Sequence, residues 1–199
     1  MPRVLWLALL ALLGWGALNW WQQRPLHPPS GVLAADAPEQ VDLDEGAVLQ
    51  RDDVSLRTLA HIALTARVLS REDYRWDAGA SLAPMDLALG WGRMSGNAVL
   101  ARMEIDQSAR FYHWHVDTFP IPRREIERSS ANMHLIPANT GVRRAMERVR
   151  RGELVHIEGF LVDASRPDGW HWRSSLTRDD TGDGACELVY VEALDPVTP

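Results

Sequence analysis

The chain has 199 residues, a net charge of −6 and a hydrophobic fraction of 46%, which allows one membrane segment plus one domain of roughly 150 residues with a single substantial core. All 21 basic residues are arginine, and the overall acidity, with no RNP, KH or zinc-finger spacing, argues against nucleic acid as a partner. The only cysteine, Cys186, cannot close an intramolecular disulfide, so cysteine usage assigns no compartment.

The first 24 residues read as a transmembrane anchor. Val4 to Gln23 is uncharged, about 20 residues, enough to cross a hydrocarbon core at a helical rise of about 1.5 Å per residue. Trp20 and Trp21 stand where an interfacial aromatic belt belongs. A cleaved signal peptide is the rival reading, but the candidate site in VLAADA (32 to 37) lies too far beyond the apolar stretch for a short c-region. Arg3 and the amino terminus favour a cytoplasmic start, with Arg24 opposing, which places the rest of the chain on the periplasmic side of an inner membrane.

Residues 25–53 are rich in proline and acidic residues and read as a linker. A single β-rich domain is expected over residues 54–195. Ala60, Ile62, Leu64, Ala66 and Val68 alternate with more polar positions, as in a half-buried strand, although a helix remains open over this alanine-containing stretch. Val99, Ala101, Met103 and Ile105 alternate likewise, as do Val155, Ile157, Gly159 and Leu161. Near the end Leu188 and Tyr190 face one way and Val189 and Val191 the other, which suits a strand covered on both faces.

One segment is helical by its period. Val142, Ala145, Met146 and Val149 fall at i, i+3, i+4 and i+7, with Asn139 or Thr140 as cap and Gly152 as stop. A shorter helix is expected around PRREIERSSAN, with Pro122 at its start. The fold class that follows is α+β, a mainly antiparallel sheet or small OB-like barrel with one or two helices.

Residues 123 to 151 carry eight arginines against three glutamates on an otherwise acidic chain. Arg143, Arg144, Arg148 and Arg151 are therefore candidates for binding an anionic ligand, lipid headgroups or an acidic envelope protein. The alternative is a solvated helix face paired with the acidic remainder. In FYHWHVD, His113 and His115 share one strand face and are candidate metal ligands, but spacing marks no third ligand, and a polar strand face explains them equally. No cofactor is indicated.

The stretch DDTGDG fits a calcium loop only in part. With Asp179 first, Tyr190 stands where the bidentate glutamate belongs, so a tight loop with Gly182 and Gly184 at positive φ is the better reading. A hairpin of 170–177 with 185–193 would put Cys186 opposite Thr177 and His171 opposite Glu192, about 20 Å from the thiol. If Cys186 is a nucleophile, its base must come from elsewhere. His134, in SSANMHLIPAN, leaves a helix and enters a proline-containing turn, with Asn132 bracing it. Arg178 and Asp179 would then bind substrate or orient the base. The competing reading is a small buried cysteine at the start of a strand.

Three phrases, LAPMDLALGWGRMS (82 to 95), SSANMHLIPAN (129 to 139) and WHWRSSLTRDDTGDGACELVYVE (170 to 192), resemble those of a group of bacterial membrane-anchored hypothetical proteins. The resemblance covers most of residues 56 to 192 and implies a membrane location, with no activity to carry over. Function is expected to be binding of a partner or ligand at the cell envelope. The alternative is a cysteine-dependent hydrolase or acyl-transferase using Cys186 and His134.

Overall fold

The longest run of alternation becomes the longest strand. The computed structural model describes Trp6, Leu13, Gly14, Gly16 and residues 24–180, 182 and 184–198. In it two short strands, β1 (Glu39–Asp42) and β2 (Val48–Arg51), flank the first half of β3 (Val54–Asp73). Ala60, Ile62, Leu64, Ala66 and Val68 all enter the main core, so the strand reading holds over the helical alternative. The anchor expected over residues 1–24 otherwise lies outside the described residues. Among those described, no helix is long and apolar enough to cross a membrane.

The remaining strands are β4 (Met85–Gly90), β5 (Glu104–Ser108), β6 (Phe111–His115), β7 (Ser130–Pro137), β8 (Leu154–Ser165), β9 (His171–Trp172) and β10 (Glu187–Val197). With 44% strand and three short helices among the described residues, the fold is α+β. Every pairing is antiparallel except β7 with β10. Eight strands form one sheet in the order β1-β3-β4-β7-β10-β8-β9, with β2 also on β3, and β8 returns to pair with β3. The circuit is uneven, twelve residue pairs between β3 and β8 against five between β7 and β10. Register shifts in β3 and β10 bend the strands where they pass from one partner to the next.

Inside this circuit lies the main core, to which β4 adds Leu87 and Leu89, β7 Met133 and Leu135, β8 Ile157 and Leu161, and β10 Val189 and Val191. Gly159 on β8 is required by close packing, because a Cβ there would stand 2.0 Å from the Tyr190 carbonyl oxygen. The helix α3 (Thr140–Arg148) covers one part of this core with Val142 and Met146, joined by Val149. Its Asn139 side chain accepts from the Gly141 and Val142 amides, as the capping signal predicts. At its other end Arg71 of β3 donates to the Glu147 and Val149 carbonyls.

Three sequence expectations are corrected. The linker of residues 25–53 is laid on the folded part: 39–42 and 48–51 pair with β3, Ala34 is buried, and the Leu33 and Ala34 amides donate to Ser95 Oγ. Low apolar content did not prevent this, because its backbone groups satisfy a strand edge and a loop that would otherwise lack partners. The period over Val99 to Ile105 is broken into a helix, α1 (Asn97–Leu100), followed by β5. Packing overrides alternation here, since Val99, Leu100, Met103 and Ile105 all join a cluster with Met94 and Ile126. Finally, SSANMHLIPAN is no loop: after α2 (Arg123–Arg128) it forms β7, whose eight residues are all buried.

Candidate functional site

Both faces of β4 and β7 are covered, and the side chains on the face turned away from the main core include an ionisable pair. Asp86 and His134 are directly opposite in the antiparallel register. Asp86 is wholly buried and His134 is 2% exposed. His134 Nδ1 lies 2.9 Å from Asp86 Oδ2, although the two atoms lack a linear N–H···O alignment, so the contact is an electrostatic pair rather than a well-formed hydrogen bond. Trp172 packs on the histidine, with ring centroids 4.8 Å apart. Gly79 makes room for that indole, since a Cβ there would meet it at 2.5 Å.

The missing cation comes from the β5–β6 hairpin. Its two turn residues, Ala109 and Arg110, have φ of 50° and 72°, the left-handed values that a two-residue type I′ connection requires and that non-glycine residues adopt at a cost. The Arg110 side chain holds the tip in place. Nη1 donates to Asp86 Oδ1 at 2.7 Å and to the Ala83 carbonyl at 2.9 Å, while Nε and Nη2 grip Asp77 at 3.0 and 2.9 Å. The guanidinium carbon stands 3.6 Å from the Tyr74 ring centroid and 5.2 Å from that of Trp172. Burial would raise the Asp77 pKa, but the hydrogen bond and charge of Arg110, with the Gly79 and Ala80 amides, bring it below its ordinary value. Tyr74, which accepts from the Arg110 amide, is pushed up to about 12 by burial and by the Asp86 charge.

The backbone of Arg110 reaches the cysteine. Its carbonyl accepts from Asn132 Nδ2 at 3.0 Å and lies 3.7 Å from Cys186 Sγ, which is also 3.7 Å from Asn132 Nδ2. Asn132 Oδ1 is taken by Gln107 Nε2 at 2.6 Å. Because Leu188 is opposite His134 in the parallel ladder, Cys186 is level with Asn132, two residues or about 7 Å along the strands from the histidine. The expected dyad is therefore not assembled: His134 is turned to Asp86 on β4, and Cys186 to Asn132 and the hairpin. Burial, only partly offset by Asn132, pushes the thiol up to about 11.

A cleft of about 270 Å³ opens in front of the thiol, walled by Phe111, Tyr112, His113 and Trp114 of β6, with Asn132, Ala185 and Cys186 at its base. Tyr112 is pushed up to about 12 by burial and presents a neutral hydroxyl to Ser130, 3.4 Å away. His113 belongs to this wall, and His115 is exposed beside Asp117 at 3.6 Å. No group of three metal-ligating side chains occurs among the described residues.

No protein-family model, curated protein or solved structure matches this chain.

The other candidates lie elsewhere. Asp179 pairs with Arg128 at 3.0 Å and Arg124 at 3.5 Å on α2. Arg178 donates to Gln40 and approaches the buried Glu187 at 3.9 Å, making no hydrogen bond to Cys186 or His134. Of the candidate arginines, Arg143 lines a polar cleft with Asp52 and Asp53, Arg144 and Arg148 are exposed, and Arg151, beyond the end of α3, stands at a separate cavity. The expected hairpin is replaced by β9 pairing with β8, which puts His171 opposite Ser165. The Ser175 amide, two residues from the expected partner Thr177, donates to the Cys186 carbonyl. Gly182 and Gly184 do adopt positive φ, 89° and 87°.

Sequence reasoning missed Asp86, Arg110, Trp172 and Glu187. Asp86 was visible as a lone carboxylate inside the apolar run LAPMDLALG, which needs a buried partner. Arg110 could not be singled out among 21 arginines.

Replacing Arg110 by methionine leaves Asp86 buried without its guanidinium and is expected to destabilise the chain by about 3–5 kcal/mol in urea unfolding. Adding Asp86→Asn should recover a substantial part; a double variant no more stable than the single one would show that the pair does not hold the hairpin. Glu187 supplies a pH test. Burial, against the weaker pull of Arg178, raises its pKa from 4.5 to about 8, so the folded chain binds the extra proton between those values. The stability this gives is full below about 4.5 and is lost as pH rises through about 8. Melting curves should show wild type losing stability across that window more steeply than Glu187→Gln, and parallel curves would refute the assignment.

Proposed function

We propose that the chain is a membrane-tethered envelope domain, anchored by residues 1–24 with its folded part on the periplasmic side of the inner membrane, that binds a ligand or partner in the cleft beside Cys186. The observation that carries this reading is the cleft itself: concave, walled by aromatic rings, edged by hydrogen-bonding groups, and, among the described residues, with no base hydrogen-bonded to the Cys186 thiol. The circuit β3-β4-β7-β10-β8 and back to β3, with α3 joining β7 to β8, supports an OB-like barrel. In such barrels the face of the second and third strands and the adjoining loops take the ligand. Here those are β4 and β7 with the loops 74–84 and 166–186, which meet the cleft at Asn132 and Cys186. The analogy supports this location for the proposed site and says nothing of what is bound. The likeness to membrane-anchored bacterial proteins supports the envelope location.

A photo-crosslinking residue at position 111, in the full-length chain expressed in bacterial envelopes, should give a discrete adduct that weakens with His113→Ala and is absent from the same probe at the exposed Val48 of β2. Absence of any adduct at position 111 would overturn the reading. The cysteine-hydrolase alternative requires a reactive thiolate. With the thiol at about 11 against an ordinary 9.0, alkylation of Cys186 by iodoacetamide at mild alkaline pH should be about two orders of magnitude slower than that of a free cysteine. Alkylation as fast as the free thiol would restore the enzyme.

A further inference from the structure

A second cavity, of about 300 Å³, lies beside residues 25–27. Its polar wall is Arg67, Arg151 and His27, and among the described residues no carboxylate lines it. Arg67 is 8% exposed, yet its partners are neutral: Nη1 donates to the Ser95 carbonyl at 3.0 Å and to Asn97 Oδ1 at 2.6 Å. Among the described residues the opposite edge of the guanidinium, Nε and Nη2, makes no hydrogen bond, and Nε is buried. That edge is the one with which arginine grips an oxyanion through two parallel hydrogen bonds. Burial, and then the charge of Arg151, lowers the Arg67 pKa from its ordinary value, so the surroundings disfavour the cation they enclose. A buried guanidinium is unfavourable unless an anion meets it, and among the described residues the charge that acts on this one is another arginine.

The rest of the wall is apolar, formed by Leu69, Leu100, Met103 and Ile105. At the rim the chain is pinned: the Leu26 amide donates to the Arg151 carbonyl at 2.7 Å, and Gly152 lets the two backbones meet, since a Cβ there would stand 2.1 Å from the Leu26 oxygen. Leu26 is only three residues beyond Gln23, the end of the uncharged run. We infer that this cavity binds the phosphate of an anionic phospholipid, with Arg67 and Arg151 on the phosphate oxygens and the apolar wall against the first methylenes of an acyl chain. The lipid source, as opposed to free phosphate, rests on the membrane anchor of the proposed function and on the contiguity of cations with apolar wall.

The test uses the full-length chain in neutral detergent, with the methyl carbon of Met103 followed by NMR. Dihexanoyl phosphatidylglycerol should shift that signal saturably, and dihexanoyl phosphatidylcholine should bind about tenfold more weakly or worse. Arg151→Gln, at an exposed position that leaves the core intact, and Arg67→Gln should each weaken the anionic lipid by about tenfold. Inorganic phosphate as tight as the lipid would make this a free-anion site, equal affinity for phosphatidylcholine would show that a net anionic headgroup is not recognised, and indifference to both substitutions would remove the arginines; each overturns the inference. Alkaline carbonate extraction of cells tests the anchor separately, so loss of the anchor and loss of the lipid site are distinguishable.

Discussion

A carboxylate buried on an inner strand has to be met by a cation, and Asp86 is met by one from 24 residues away. Desolvation makes the requirement strict, because the penalty for an ion out of water is several kcal/mol and only close, well-directed donors offset it. Arg110 supplies them, and in doing so fixes the hairpin tip. With the tip fixed, β6 stands as one wall of the Cys186 cleft, and Tyr112 and Trp114 pack on the cluster around Ala88 and Ile126. The second face of β4 and β7 is then covered. A left-handed pair of non-glycine residues persists at the turn because the side chain beyond it is held on two carboxylates and two rings.

The same network decides the chemistry available to the cleft. His134 is committed to Asp86, Asn132 to Gln107 and the Arg110 carbonyl, and burial holds the thiol in its protonated form against the opposing hydrogen bond of Asn132. A nucleophile needs the reverse, a nearby base and a stabilised thiolate. The polar residues at the cleft base are thereby held as fixed donors and acceptors.

Much of this architecture is legible in the sequence, because period and capping are local. The alternation of Ala60 to Val68, the i, i+3, i+4 pattern of Val142 to Val149 with Asn139 before it, and the paired glycines of the 182–184 turn each report a nearby physical requirement. What local pattern does not carry is pairing at a distance. His134 looked like a loop residue because a strand covered on both faces has no polar alternation to display, and its neighbours Pro137 and Asn139 are turn formers. Cys186 and His134 were placed on adjoining strands only by the parallel β7–β10 ladder, and their divergence is set by Asp86 and Arg110, neither of which is near them in sequence. The segment 25–53 shows the same limit: its composition describes a free chain, whereas its backbone finds edges to complete.

That packed segment bears on how far the domain can roam. A flexible linker of its length would let a domain sweep a wide volume above a bilayer and meet partners in any orientation. With Leu26 bound to the Arg151 carbonyl and Ala34 buried near Ser95, an anchor ending at Arg24 leaves almost no slack. On the proposal that residues 1–24 cross a membrane, such a domain would ride close to it with one side always turned down, and its encounters would be confined to molecules that come to that height.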